Sequence, residues 1–206
     1  MYGQYVTKIT LINKFKPNPY LLKQSAPQFT EKNQNFFAPN TPIQCGTRAQ
    51  TTQRVSSFIL NGKTAEKYDF PWLVAHYHRN VFVCGGSLLS SRIVVSAAHC
   101  FRDKRSSHIK NPLESIFYMG KYNLQSFDDV GLVSSGVERF EVHPNWKPFS
   151  EKYDADIGVV VLAKRIQFSK TIRPVCLWRS ETGHADLIGR MGVIAGDKTV
   201  LNSKIL

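Results

Sequence analysis

The chain has 206 residues, of which 42% are hydrophobic and 12% aromatic, and it carries a formal net charge of +12 at pH 7. That length suits one domain of ordinary size with an extension, and the composition is typical of a globular protein, which excludes a disordered or fibrous chain. No apolar run approaches the roughly 18–20 residues that a membrane-spanning helix needs, and the N-terminus, MYGQYVTKITLINKF, lacks the apolar core of a secretory signal.

The surplus of positive charge could attract nucleic acid or a sulfated polysaccharide. The lysines and arginines are scattered, however, without a run of five or more and without an aromatic-interleaved basic motif. We therefore prefer a solvated basic surface and expect neither a nucleic-acid nor a membrane partner. A polyanion-binding module stays an alternative, which heparin affinity with a steep salt dependence would favour.

Residues 1–44 are rich in Asn, Gln, Lys and Pro, and five prolines from Pro17 to Pro42 interrupt any regular element. We predict a low-complexity linker or pro-region here, with little core of its own.

Four cysteines follow, Cys45, Cys84, Cys100 and Cys176, and none forms a C-x-x-C pair. This spacing argues against a zinc ribbon or a thioredoxin-like site. Four cysteines allow three pairings, and spacing alone does not choose among them. Four unpaired buried thiols are a further alternative.

From about Arg54 the chain consists of short apolar, β-branched and aromatic runs separated by Gly, Asn, Asp and Ser, as is typical of strands. The predicted strands are Trp72–Tyr77, Val81–Cys84, Arg92–Ser96, Ser115–Met119, Val137–Val142 and Ile157–Leu162. No amphipathic segment of helix length competes between residues 55 and 165. An all-β sandwich or barrel without an internal repeat is therefore predicted.

His76 and His78 alternate along the first of these strands, so they share a face and could bind a metal ion. No carboxylate or cysteine is positioned in the sequence to complete such a site. We predict an exposed strand here and expect neither a metal nor a cofactor.

The densest motif is CGGS at residues 84–87 followed by VVSAAHC at residues 94–100. The small Ala97 and Ala98 let the backbone pack closely while presenting the His99 imidazole at a strand end. The motif resembles the CGGSLI…VLTAAHC signature of the chymotrypsin/trypsin-like serine protease family. Because so many neighbouring positions match, a core histidine beside a chance cysteine is a poor alternative.

A second anchor, DADIGVVVL at residues 154–162, resembles the family's N-D-I-A-L-L strand, in which the aspartate orients the catalytic histidine. The resemblance implies that role for Asp156 and the role of general base for His99. Ala155 and Gly158 depart from the family's Asn and Ala. The alternative is an ordinary solvated aspartate before a strand.

Further matches are FPW at residues 70–72, GKYNL at 120–124, VHP at 142–144 and PVCLW at 174–178, the last resembling the connector between the family's two barrels. The implied fold is a trypsin-like double β-barrel, with the first barrel complete and the second largely missing. The family's connector cysteine pairs with one upstream of the activation site, which implies Cys45–Cys176 and Cys84–Cys100. Such pairing implies a secreted protein in an oxidising compartment, with a signal peptide not present in this chain.

ILNG at residues 59–62 resembles the start of a mature protease, which implies zymogen cleavage between Phe58 and Ile59. An aromatic residue before the cut resembles the modular, self-starting proteases of arthropod immune cascades. We expect a chymotrypsin-like activator or autocatalysis, with Arg54 as a competing trypsin-like site. The chain then divides into a linker 1–44, an activation segment 45–58, a partial protease domain 59–196 and a non-family tail 197–206.

The family's nucleophile lies in a G-D-S-G-G-P motif, which these 206 residues do not contain. Ser203 lacks the flanking glycines and the aspartate that would receive the Ile59 ammonium. Residues 192–196 resemble a second-barrel strand, but Asp197 stands where tryptophan is expected. An interrupted fragment, or a gene prediction that runs into unrelated sequence, explains this pattern.

We therefore expect a fragment of a secreted serine endopeptidase that lacks the catalytic serine and is inactive as written. The resemblance implies protein substrates, other cascade proteases and serpin-type inhibitors as partners. The alternative is a non-catalytic protease homologue that binds partners. Retention of both His99 and Asp156 favours the endopeptidase.

Overall fold

The computed structural model describes residues 4–10, 44–48, 63–102, 108–147, 154–177 and 191–197. These residues form nine strands and two 3₁₀ turns, Ala98–Phe101 and Pro112–Glu114. The strands are β1 Gln4–Thr10, β2 Lys63–Thr64, β3 Leu73–His78, β4 Val81–Leu88, β5 Ile93–Ser96, β6 Ser115–Met119, β7 Val133–Val142, β8 Gly158–Leu162 and β9 Met191–Asp197. In the described part, no helix is long and apolar enough to cross a membrane.

Six strands close into an antiparallel barrel in the order β3-β4-β5-β8-β7-β6. The β-branched runs of β5 and β8 pair directly and suit a pleated, buried surface. All six strands predicted from the sequence occur, and two of them are longer than predicted, with β4 reaching Leu88 and β7 starting at Val133. The predicted all-β fold class is confirmed, and its barrel is closed.

The barrel interior is apolar and is filled from every strand and from the turn that follows β5. The core consists of Val74, Leu88, Val94, Cys100, Phe101, Phe117, Met119, Val137, Phe140, Val160, Leu162, Ile166 and Ile172. At about 25 cal/mol per Å² of buried apolar surface, side chains of this size contribute about 1.5–3 kcal/mol each when fully buried. The core therefore anchors the strand ends from which the candidate site is built.

His76 lies inside this core, so the prediction of an exposed strand is wrong. Its ring is fully buried and stacks on Phe117, with centroids 4.4 Å apart and planes 8° apart. Its Nε2 lies 3.2 Å from the Ser115 hydroxyl, which His78 Nδ1 approaches to 2.9 Å. Strand β3 is buried on both faces, because aromatic rings cover its outer side at Tyr77.

A second sheet has the order β2-β1-β9, with β1 in the middle. Strand β1 pairs with β9 along its whole length, and two of its residues also pair with β2. The expectation that prolines prevent any regular element in residues 1–44 is therefore wrong for this strand. The segment QYVTKIT is rich in β-branched residues and precedes Pro17, so the sequence did carry the signal. Residues 11–43 lie outside the described part.

Candidate active site

His99 sits on the 3₁₀ turn Ala98–Phe101, directly after β5. Its neighbours Ala98 and Cys100 are 0% and 3% exposed, whereas the His99 side chain is 57% exposed. The turn therefore buries the residues on either side of the histidine and leaves the imidazole at the surface. A small residue is required at position 98, because Ala98 is fully buried and a larger side chain would clash with its surroundings.

Asp156 reaches the imidazole from the segment that leads into β8. The preceding Ala155 adopts a left-handed backbone conformation with φ of 58°, and the Ile157 amide donates a 2.7 Å hydrogen bond to the Ala155 carbonyl. This tight bend turns the Asp156 side chain toward the 3₁₀ turn, and the side chain is only 9% exposed. Asp154, by contrast, is exposed.

Two hydrogen bonds join the residues. The Asp156 Oδ2 atom lies 2.7 Å from His99 Nδ1, and the His99 backbone amide donates to Oδ1 at 2.9 Å. An ionised carboxylate only accepts hydrogen bonds, so this contact assigns the imidazole proton to Nδ1 and leaves the lone pair on Nε2. The second bond fixes the carboxylate to the backbone of the same turn, so the ring orientation is held at two points.

The Cys84–Cys100 disulfide ties this turn to β4, with a Cα–Cα distance of 6.0 Å. A second disulfide joins Cys45 and Cys176, and the described residues include no free cysteine. The atoms of Cys84, His99 and Cys100 lie close enough together to suggest a metal ligand set. Because both sulfurs belong to one disulfide, they are not available as thiolate ligands while that bond is intact.

Two residues that support this arrangement, Lys110 and Phe101, were missed by the sequence analysis. The Lys110 ammonium donates to the carbonyls of Cys100 and Arg102, at 2.9 and 2.6 Å, and so holds the end of the turn. The Phe101 ring fills the space beside Gly158, where a Cβ atom would lie 2.5 Å from the ring. The only signal in the sequence was the replacement of the family's Ala by Gly158.

The remaining residues singled out from the sequence lie outside the described part of the chain. These are Arg54, Phe58, Ile59 and Ser203. Within the described ranges, no side chain is hydrogen-bonded to Nε2 of His99. The arrangement can therefore accept a proton at Nε2 from a group that approaches from the exposed side.

Comparisons with known proteins identify the family to which the sequence is similar. The sequence profile of the family described as "Trypsin" matches residues 59–203, which starts at Ile59 and ends beyond the predicted limit at residue 196. The chain is 35% identical over 131 residues to "Serine protease gd" of Drosophila melanogaster, covering 62% of this chain and 24% of that protein.

Two further relatives are similar over more of the chain. The "Suppressor of tumorigenicity 14 protein homolog" of Bos taurus is 29% identical over 174 residues, covering 77% of this chain and 20% of that protein. The "Proclotting enzyme" of Tachypleus tridentatus is 28% identical over 172 residues, covering 81% of this chain and 44% of that protein. The chain thus spans less than half the length of each of these relatives.

Proposed function

Because the chain belongs to the trypsin family of serine proteases, we propose that it is a fragment of a serine-type endopeptidase, to which it contributes His99 as the general base and Asp156 as the residue that orients it. The observation that carries the proposal is the two-point contact between these residues. It fixes the tautomer, and it leaves Nε2 free of hydrogen-bond partners among the described residues.

The chemistry is the one established for this family. Nε2 of His99 would take the proton of a serine hydroxyl as that oxygen attacks the scissile carbonyl, and would later deliver it to the leaving amine. Asp156 would stabilise the imidazolium formed in between without itself becoming protonated. The serine has to reach Nε2 from a segment other than those described.

We further propose that the protein is a secreted zymogen of a proteolytic cascade. Two disulfides support an oxidising compartment, and the Tachypleus relative is named a proclotting enzyme, which is the name of an enzyme precursor in clotting. Cleavage between Phe58 and Ile59 would leave the upstream segment covalently attached, because Cys45 is bonded to Cys176. Protein substrates, other cascade proteases and serpin-type inhibitors would be its partners.

The test is peptide hydrolysis and fluorophosphonate labelling by protein translated from the complete transcript and activated. N-terminal sequencing should show a new terminus at Ile59. The His99→Ala variant should lose activity on the order of 10⁶-fold in kcat, as when the base of a serine protease is removed. His108→Ala, which removes an exposed histidine, should behave as wild type.

Two results would contradict the proposal. A His99→Ala variant as active as wild type would remove the histidine from the mechanism. Activated full-length protein that neither hydrolyses peptides nor takes the label would instead favour the non-catalytic homologue, a partner-binding module of the same fold.

A further inference from the structure

An acid-free segment crosses the outside of the barrel after β8. Residues 163–177 contain no aspartate or glutamate, but they include Lys164, Arg165, Lys170 and Arg173. The first three side chains are exposed and Arg173 is half-buried. Within the described residues, no carboxylate oxygen lies within 4.0 Å of any of these four cations.

The two arginines are held by neutral oxygens. Arg173 donates from Nη1 to the Thr47 hydroxyl at 2.6 Å and from Nε to the Ser169 carbonyl at 3.2 Å. Arg165 donates from Nη1 to the Ser91 hydroxyl at 3.4 Å. These contacts restrict the guanidinium groups without neutralising them, so the positive charge stays available to a ligand.

Arg48 extends the same surface. Its segment is fixed to the acid-free segment by the Cys45–Cys176 disulfide and by a 2.9 Å hydrogen bond from the Gly46 amide to the Pro174 carbonyl. The Arg48 guanidinium lies 4.9 Å from the centre of the Phe70 ring. We call residues 44–48 and 163–173 together the basic strap.

Several exposed cations elsewhere on the barrel are paired with carboxylates. Examples are Lys67 with Asp129 at 3.5 Å, Arg79 with Glu114 at 2.8 Å and Arg139 with Glu141 at 2.7 Å. Part of the net charge of +12 is therefore concentrated on the basic strap, where Lys164, Arg165, Lys170 and Arg173 are not paired with carboxylates of the described residues. A surface of this kind produces a local positive potential that attracts polyanions.

We propose that the basic strap binds a linear sulfated polysaccharide. A chain of sulfate groups can contact cations spread along an extended segment, as the strap presents them. A nucleic acid fits less well, because Phe168, the aromatic residue of the strap, is partly buried against the core and offers little ring surface for base stacking. The two disulfides indicate an oxidising compartment, where sulfated polysaccharides are the abundant polyanions.

This binding does not depend on the proposed protease activity, so it can be tested with the oxidised chain itself and with heparin as the probe. The strap variant carries Lys164→Gln, Arg165→Gln and Lys170→Gln, and keeps Arg48 and Arg173. The control carries Lys67→Gln, Arg79→Gln and Arg139→Gln, and loses the same charge from paired positions.

The strap variant should elute from heparin–agarose at a clearly lower NaCl concentration than wild type, and the control should elute close to wild type. The slope of log affinity against log salt should fall by about one for each contact removed. Both variants should elute together from a sulfonate cation exchanger, which reports net charge. Thermal unfolding of each variant, and of the single variant Lys170→Gln, separates lost binding from lost structure.

Equal elution of the two triple variants from heparin, with both folded, would overturn the proposal. Displacement of bound protein by RNA as effectively as by heparin would also overturn it, because the strap would then recognise charge density alone. If the strap variant still elutes from heparin earlier than the control in the presence of excess RNA, the result would support binding of a sulfated polysaccharide.

Discussion

His76 is a titratable group enclosed by the rings of Phe101, Phe117 and Phe140. Burial is the main cause that lowers its pKa from 6.5 to about 3, and the positive charges of Lys110 and His78 contribute to the same shift. The neutral imidazole is therefore the form that the core accepts, and its Nδ1 atom has no hydrogen-bond partner among the residues that the structure describes.

This burial predicts a pH-dependent stability. In the unfolded chain the imidazole has its ordinary pKa of 6.5, so between pH 6.5 and about 3 the unfolded state binds a proton that the folded state does not. The free energy of unfolding should therefore fall as the pH decreases through this window, by up to about 1.4 kcal/mol per pH unit. Urea unfolding between pH 7.5 and 4.5 measures the slope.

The variant His76→Leu should have a flatter dependence on pH, because it removes the group that titrates. His108→Leu, at an exposed site, should keep the slope of wild type. Parallel curves for wild type and His76→Leu would show that His76 is not the source of the acid sensitivity.

Single residues differed in how far the sequence could place them. The contact between His99 and Asp156 could be predicted, because each residue lies in a contiguous motif whose neighbouring residues also match. The burial of His76 could not be predicted from its spacing to His78. Alternation along a strand tells which residues share a face, but whether that face is buried depends on residues such as Phe140, far away in the chain.

Among the elements, β8 and the 3₁₀ turn meet at Gly158 and Phe101. A Cβ atom at Gly158 would lie 2.5 Å from the Phe101 ring and 3.0 Å from the Glu141 carbonyl oxygen. The ring itself is fully buried and stacks on Phe140, with centroids 4.8 Å apart. Little room is left for the ring to move, so the glycine sets how closely β8 approaches the turn that carries His99.

Gly158→Ala should therefore destabilise the protein by about 1–3 kcal/mol, the cost of overpacking a dense core. The measurement is the free energy of unfolding in urea. Gly136→Ala in β7 is the matched control, since nothing lies within 4 Å of the added Cβ, and it should be neutral or stabilising by up to about 1 kcal/mol. Equal stabilities of the two variants would show that the Phe101 ring moves aside without cost.

The pairing partners of strand β1 could not be predicted from local sequence patterns. Its composition is that of a strand, but its place between β2 and β9 rests on pairing between residues as far apart as Gln4 and Asp197. Nothing in a local pattern selects that partner. The barrel strands were more predictable because their turns and neighbours are close in sequence, as at the Arg79–Asn80 hairpin.

For the molecule as a whole, the charge distribution could not be read from the sequence. The cations are scattered along the chain, which predicted a uniformly solvated surface. The fold pairs several of them with distant carboxylates, for example Lys67 with Asp129, and leaves the basic strap without such partners in the described structure. Local concentration of charge is thus a product of the fold.

The two disulfides constrain the molecule on different scales. Cys45–Cys176 joins residues 131 apart in sequence, and Cys84–Cys100 joins residues 16 apart. In the chain-entropy model, closing these loops stabilises the fold by about 5 and about 3 kcal/mol. Replacing both cysteines by alanine should therefore cost more for the first pair than for the second, as measured by urea unfolding.

The geometry of the candidate active site should depend more on the Cys84–Cys100 disulfide than on Cys45–Cys176, which is the opposite of the order for stability. Of the two disulfides, only Cys84–Cys100 is attached to the turn that carries His99. Its loss should therefore weaken the proton NMR signal of the Nδ1–H group that donates to Asp156. The Cys45→Ala/Cys176→Ala variant should keep that signal despite its lower stability. If both variants lose the signal and the same free energy, the two bonds stabilise one cooperative unit and the turn has no separate support. If instead the first pair costs more unfolding free energy and the second pair costs more of the NMR signal, the stability of the fold and the geometry of the site depend on different disulfides.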